Sequence, residues 1–211
     1  MAASPRLGII DYGAGNVCSV VNSFRALGHE GVMLRTPQEL EGITHLVLPG
    51  VGAFGDCAEA LRAQGLAEPV RDWVREGRKP FLGICVGYQV LFESGEESPG
   101  VPGLGVFADH VRSFAPEPGL KIPHMGWNSV TPSDTDDLLW AKADPPCYYF
   151  VHSYYPEPAD DSLVAARCRY GSTEFAAAIR HGNARATQFH PEKSQLLGLR
   201  LLDHFMILSP L

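Results

Sequence analysis

No cluster of five or more basic side chains occurs in this chain, and its 17 lysines and arginines are outnumbered by 24 acidic residues, for a formal net charge of −7. A phosphate backbone calls for a concentrated cationic face, so nucleic acid is excluded as a partner. No apolar stretch approaches the roughly 20 residues needed to cross a bilayer, and Met1–Arg6 lacks the apolar segment of a secretion signal. A soluble, cytoplasmic protein with no membrane partner is therefore expected. The five cysteines, Cys18, Cys57, Cys85, Cys147 and Cys168, form no C-x-x-C pair, which argues against a disulfide framework and a zinc knuckle. Two glycine-rich loops also lack what a nucleotide needs. Pro49-Gly50-Val51-Gly52-Ala53-Phe54-Gly55 runs into Asp56-Cys57 instead of Lys-Ser or Lys-Thr, and Gly13-Ala14-Gly15-Asn16 has no third glycine of a dinucleotide loop. Neither metal nor cofactor is expected. Internal repeats and low-complexity tracts are absent as well.

What is present is a chain of 211 residues, 45% of them apolar, enough to bury one full core and to form a single domain over residues 1–211. Strand and helix signals alternate through the first half. Leu7–Ile10, Val32–Leu34, Thr44–Leu48 and Phe81–Ile84 read as strands; Val17–Leu27, Ala58–Leu61, Pro69–Glu76 and a helix opening over Tyr88–Glu93 lie among them, with a capped helix start at Thr36–Glu39. Such alternation predicts an α/β fold with a mostly parallel sheet covered by helices on both faces, and reactive groups at the carboxyl ends of the strands. The second half reads differently. Val106–Phe114, Trp127–Val130, Cys147–His152, Leu163–Tyr170, Glu174–Arg180 and Ala184–Phe189 are β-like and predict an antiparallel extension, closed by a helix over Leu196–Leu208. Surface loops are expected over Gly95–Gly105, Pro116–Gly119 and Pro132–Asp137.

Phe81-Leu82-Gly83-Ile84-Cys85-Val86-Gly87-Tyr88-Gln89 carries the chemistry. A buried strand turning sharply into a helix, with glycines two residues either side of Cys85, is a nucleophile elbow with sulfur in place of the hydroxyl. The helix N-terminus there favours a thiolate. The other cysteines read as small core hydrophobes, with Cys57 at a helix start. Gln188-Phe189-His190-Pro191-Glu192 supplies a base: residues two apart on an extended segment share a side, so Glu192 can orient the His190 imidazole. Cys85, His190 and Glu192 together point to acyl transfer, with the Val86 amide as a donor to the developing oxyanion. His124 and His152 lie in aromatic-rich segments that could be core, an interface anchor or a pocket wall. The other five histidines read as solvated or hydrogen-bonded.

These motifs resemble those of the triad-class glutamine amidotransferases, which have a flavodoxin-like core and take ammonia from glutamine. Asp11–Asn16, Pro49–Phe54, His124–Asn128, Tyr149–Tyr154 and Gln188–Ser194, in that order from Leu7 onward, narrow the likeness to the glutaminase subunits of imidazole glycerol phosphate synthases, enzymes of histidine biosynthesis. The resemblance implies a second oxyanion donor from the strand holding Val51 and Gly52. It implies a glutamine pocket made by Gln89, Glu97, Ser153 and Tyr154. A (β/α)8 cyclase subunit is implied as the partner, faced by Asn16, Pro123–Trp127 (including His124), Tyr149 and Lys193. Ammonia would pass to it through a shielded channel to make imidazole glycerol phosphate and an aminoimidazole carboxamide ribotide. Two positions depart from the family's pattern: Tyr88 stands for methionine and Gly95 for serine. His124–Asn128 argues against a pyridoxal phosphate synthase glutaminase. A stand-alone γ-glutamyl or peptide cysteine hydrolase, and a non-catalytic regulatory subunit, remain the rival readings on the same fold.

Overall fold

The computed structural model describes residues 5–13, 16–134 and 145–211. Ala14 and Gly15 of the first loop, residues 135–137 of the expected loop over 132–137, and residues 1–4 lie outside the described residues. The first half contains β1 (Leu7–Ile10), α1 (Val17–Ala26), β2 (Gly31–Leu34), β3 (His45–Gly50), α2 (Phe54–Ala63), α3 (Ala67–Glu76), β4 (Phe81–Cys85) and α4 (Val86–Gln89). The second half contains β5 (Phe92–Gly95), β6 (Phe107–Ser113), β7 (His124–Pro132), β8 (Cys147–His152), β9 (Tyr154–Pro156), β10 (Val164–Tyr170), β11 (Thr173–His181), β12 (Ala184–Thr187) and α5 (Gln195–Ile207).

Every residue of β1, β3 and β4 is buried, which is why these strands read as near-continuous apolar runs rather than alternating ones. They belong to a nine-stranded sheet ordered β2-β1-β3-β4-β12-β11-β10-β7-β8. Its first five strands are mutually parallel, the flavodoxin-like order with β12 in fifth place. The remaining pairings are antiparallel. One hydrophobic cluster runs from Leu7 on β1 to Met206 on α5.

Four expectations need correction. The helix read over Tyr88–Glu93 ends at Gln89, and Phe92–Gly95 is a strand. Phe92 is fully buried between Tyr88 and Phe107, at ring distances of 5.7 and 5.8 Å, and pairing with β6 buries it there. Consequently β6 does not extend the main sheet; β5, β6 and β9 make a separate three-stranded one. The capped start at Thr36 exists, with the Arg35 and Thr36 amides donating to Glu39 Oε2 at 2.6 and 2.9 Å, but it leads only into a 3-10 turn, Pro37–Leu40. No residue of that turn is buried, so nothing pulls it into a longer helix. Cys18 is exposed rather than a core residue, because α1 buries the stripe Val17, Val20 and Phe24.

Candidate active site

Cys85 ends β4 with φ 54° and ψ −110°, outside the regions an L-residue ordinarily occupies. Such strain persists only where the surroundings over-determine it, and here the glycines do so. In register, Gly50 of β3 pairs with Cys85. A Cβ on Gly87 would lie 2.0 Å from the Leu48 carbonyl oxygen, and one on Gly50 would lie 2.3 Å from the Gly87 nitrogen. The elbow therefore leans directly on the backbone of β3. Cys85 is 4% exposed; its sulfur accepts from Gln188 Nε2 at 3.7 Å and lies 4.0 Å from the Val151 carbonyl oxygen.

β12 runs parallel beside β4 with Thr187 opposite Ile84, so the chain leaving β12 arrives at the sheet edge where Cys85 sits. His190 follows three residues on. Its backbone amide donates to Tyr149 O at 2.9 Å, and its carbonyl accepts from Ser194 Oγ at 2.6 Å. His190 Nδ1 donates to Glu192 Oε1 at 2.8 Å, with both side chains 1% exposed. A carboxylate only accepts, so Nδ1 carries a proton, and Nε2 is the nitrogen that gains and loses the second one. That Nε2 is buried and makes no hydrogen bond among the described residues. Burial opposes a charge on His190, yet attraction to the Cys85 sulfur and to Glu192 outweighs it and holds the imidazole up at about 10.

A measurable consequence follows from the sign of that shift. A raised folded-state value means the charged imidazole contributes stability that is fully present below its unfolded value of about 6.5 and is lost as pH rises through about 10. Chemical denaturation across this window should show a fall in stability that His190→Asn lacks. Parallel curves for the two proteins would contradict the assignment.

Cys85 and His190 line a cavity of about 570 Å³. Val51, Gly52, Val86, Gln89, Glu97, Ser153 and Tyr154 line it too, as do Asn16 and Lys193. Gln89 is 3% exposed and donates from Nε2 to Tyr154 O at 2.9 Å and to Gln188 Oε1 at 3.1 Å. Glu97 accepts from the Phe54 amide at 2.7 Å through Oε2, capping α2. Tyr88 is absent from the cavity wall; it is fully buried in the core, so its departure from the family's pattern falls outside the pocket. Gly95 packs under the Phe54 ring, 3.2 Å from where a Cβ would be.

His124 departs from its expected place on a partner-facing surface. It is 2% exposed and stacks between Phe150 and Tyr170, at ring distances of 4.7 and 4.0 Å, because its position on β7 points inward. Its outward neighbours Met125 and Trp127 are 63% and 49% exposed, and Trp127 contacts Tyr149 at 6.2 Å. Gln188 was not singled out by its chemistry in the sequence. It lies just past the end of β12, on the bend that leads to His190, and no local sequence pattern marks its reach to the sulfur. Cys57, by contrast, is buried beside Tyr12, with its thiol pushed up to about 12 by desolvation, and is inert by comparison. Among the described residues no group of three or more His, Cys, Asp or Glu could hold a metal, and no helix is long and apolar enough to cross a membrane.

The class-I glutamine amidotransferase family profile matches residues 8–208. The chain is similar to the imidazole glycerol phosphate synthase subunit HisH of Nostoc punctiforme, at 45% identity over 96% of this chain and 95% of that one. It is similar to the protein of the same name from Methanothermobacter thermautotrophicus, at 48% identity over 95% and 97% of the two chains. Among solved structures it superposes on a glutamine amidotransferase with a TM-score of 0.73 at 24% identity, covering 94% of this chain and 96% of that one. A second superposition, on a chain of PurLQS from Thermotoga maritima, gives 0.74 at 20% identity over 96% and 98%; both likenesses concern the fold. The chain belongs to the class-I glutamine amidotransferases and, within them, to the HisH subunits of imidazole glycerol phosphate synthase.

Proposed function

We propose that this chain, acting as one domain, hydrolyses glutamine through Cys85, His190 and Glu192 and delivers the ammonia to a (β/α)8 cyclase subunit in the cytoplasm. One observation carries the reading: a strained cysteine and a buried imidazole–carboxylate pair open into one cavity that Gln89 and Glu97 also line. Cys85 sulfur attacks the glutamine side-chain amide carbon, and the carbonyl oxygen takes up the negative charge. In this reading the Val86 amide donates to it and Val51 or Gly52 supplies a second donor, supported by all three lining the cavity with Cys85. His190 then gives a proton to the departing nitrogen, ammonia leaves, and a glutamyl thioester remains. Water activated by His190 releases glutamate and restores the thiol. Gln89, Glu97, Ser153 and Tyr154 hold the amino and carboxylate end of the substrate.

Ammonia released into water becomes ammonium and is lost to amide chemistry, which makes a shielded path to the cyclase necessary. Asn16, Trp127, Tyr149 and Lys193 face that partner in this reading, with Met125 added and His124 removed on the grounds of exposure. The partner also gates the reaction. Gly52 already has φ 93°, so the peptide joining it to Val51 can turn over without clashing with a Cβ, and a donor turned away until docking keeps the isolated chain slow.

Glutamate release measured with and without cyclase tests both points. Adding cyclase with its own ligand should raise the rate about 100-fold, the usual worth of one oxyanion donor. Equal rates would remove the gating, and faster cleavage of γ-glutamyl peptides than of glutamine by the isolated chain would favour a stand-alone hydrolase.

A further inference from the structure

A chain of hydrogen bonds crosses the protein from β7 to the glutamine pocket, and each of its directions is fixed by chemistry. Asn128 sets the first. Its Oδ1 accepts from the Ser129 amide at 2.8 Å, and its Nδ2 donates to Arg169 O at 2.9 Å, so the amide cannot be reversed. Nδ2 also lies 3.2 Å from His124 Nε2, which must therefore be the accepting nitrogen. Gly126, between them on the same strand face, carries no side chain to intervene. The far end is fixed as firmly: Tyr154 O can only accept, so His152 Nδ1, at 2.8 Å, is the donor. The two imidazoles are cross-strand neighbours on β7 and β8, with His124 Nδ1 and His152 Nε2 3.0 Å apart.

If both rings are neutral, each has one proton, and the two ends demand the same answer for the middle. His124 carries its proton on Nδ1 and gives that hydrogen bond to His152 Nε2. Neutrality has a physical cause: burial lowers His124 to about 4 and His152 to about 3. Aromatic rings wall the pair in, Phe150 and Tyr170 on His124, Phe114 and Phe175 against His152. No oxygen of a carboxylate touches either ring among the hydrogen bonds described, so nothing there compensates a second proton.

The chain ends on a carbonyl with a second task. Tyr154 O is the acceptor that holds Gln89 Nε2 at 2.9 Å; the same nitrogen reaches Gln188 Oε1, and Gln188 Nε2 reaches the Cys85 sulfur. We infer that Asn128, through His124 and His152, is a positioning residue for glutamine binding: it locks one tautomeric state along the chain and thereby fixes the Tyr154 carbonyl that orients Gln89. The inference rests on the reading of Gln89 as part of the glutamine pocket. It also gives His124 a role that its burial allows, in place of contact with a partner.

Asn128→Asp tests it, because a carboxylate has no donor. At a pH high enough that the new carboxylate does not hold a second proton on the ring, His124 puts its one proton on Nε2 to meet the acceptor, leaving two lone pairs opposed at the 3.0 Å contact with His152. In the complex with cyclase, KM for glutamine should rise about tenfold, the worth of one well-placed hydrogen bond, with kcat within twofold. Asn128→Ala, which leaves His124 free to choose, should show a smaller rise. Long-range nitrogen–proton NMR on the unaltered chain reads the tautomers without any turnover: Nδ1–H at both His124 and His152 is expected near neutral pH, whether or not a variant folds. An Nε2–H tautomer or a doubly protonated ring at either position would overturn the lock. Unaltered KM in Asn128→Asp with the His124 proton moved would overturn its role in binding. Absence of glutamine turnover by the unaltered complex would instead overturn the glutaminase reading, and the role with it, while the NMR result still decides the tautomers.

Discussion

Cys85→Ala should abolish glutamine-dependent synthesis by the complex with cyclase, a loss of about 10⁴-fold or more, while synthesis from added ammonium salts continues at the unaltered rate. The large figure follows from chemistry rather than from packing. Without the sulfur no thioester can form, and His190 has no proton to take up or return along the covalent route. The asymmetry between the two nitrogen sources places the loss in amide cleavage or its delivery. A failure to fold or to dock would spare the ammonium route as well, since the cyclase alone consumes ammonia, so co-purification of the variant with cyclase at an unchanged melting temperature is what assigns the loss to the nucleophile. Imidazole glycerol phosphate formation measured with each nitrogen source, together with that co-purification, decides it. Glutamine use that survives the substitution would place the nucleophile elsewhere.

Gly87→Ala should also be strongly damaging, by a different cause. A methyl group at residue 87 would lie 2.0 Å from the Leu48 oxygen, and that neighbour is backbone at the centre of the sheet, with no side chain to swing aside. Overpacking of this kind costs about 1–3 kcal/mol, or roughly 2–12 °C in melting temperature for a chain of this size. Relief requires α4 to lift from β3. The displaced helix carries the Val86 amide and Gln89 with it and relaxes the backbone at Cys85, so glutamine turnover should fall by 10²-fold or more even in the fraction that folds. Calorimetry and the glutaminase assay read the two effects separately. A variant with unchanged melting temperature and full activity would show that the approach of the two backbones is not required.

The parts of this architecture that could be read in the sequence are those whose physics is local. The buried parallel strands announce themselves as apolar runs because both faces are covered. The elbow is visible because a sharp turn at Cys85 needs glycine on either side within two residues. Glu192 could be assigned to His190 because the two are close in sequence, although they meet across the 3-10 turn Pro191–Lys193 and not along the extended segment expected. What stayed hidden depends on partners far along the chain. Phe92 follows an obvious helix start, and only Phe107, fifteen positions away, turns it into a strand residue. His124 reads equally as core, interface anchor or pocket wall, and only the strand pairing that sets His152 opposite it shows that it points inward. Gln188 needed the alignment of β12 with β4 before its amide could be seen to reach sulfur.

That alignment has a further consequence for how the enzyme comes into being. Cys85 and His190 are separated by 104 intervening residues, yet both lie where neighbouring strands end, Cys85 at the end of β4 and His190 three residues beyond β12, because β12 is inserted between β4 and β11. On a growing polypeptide the thiol emerges long before the imidazole does. Until the final strand slots into the gap, the half-made protein has Cys85 without His190 near it, so the proposed amide cleavage needs a completed sheet before any partner can act on it. A ribosome carrying an unfinished chain would thus release no stray ammonia.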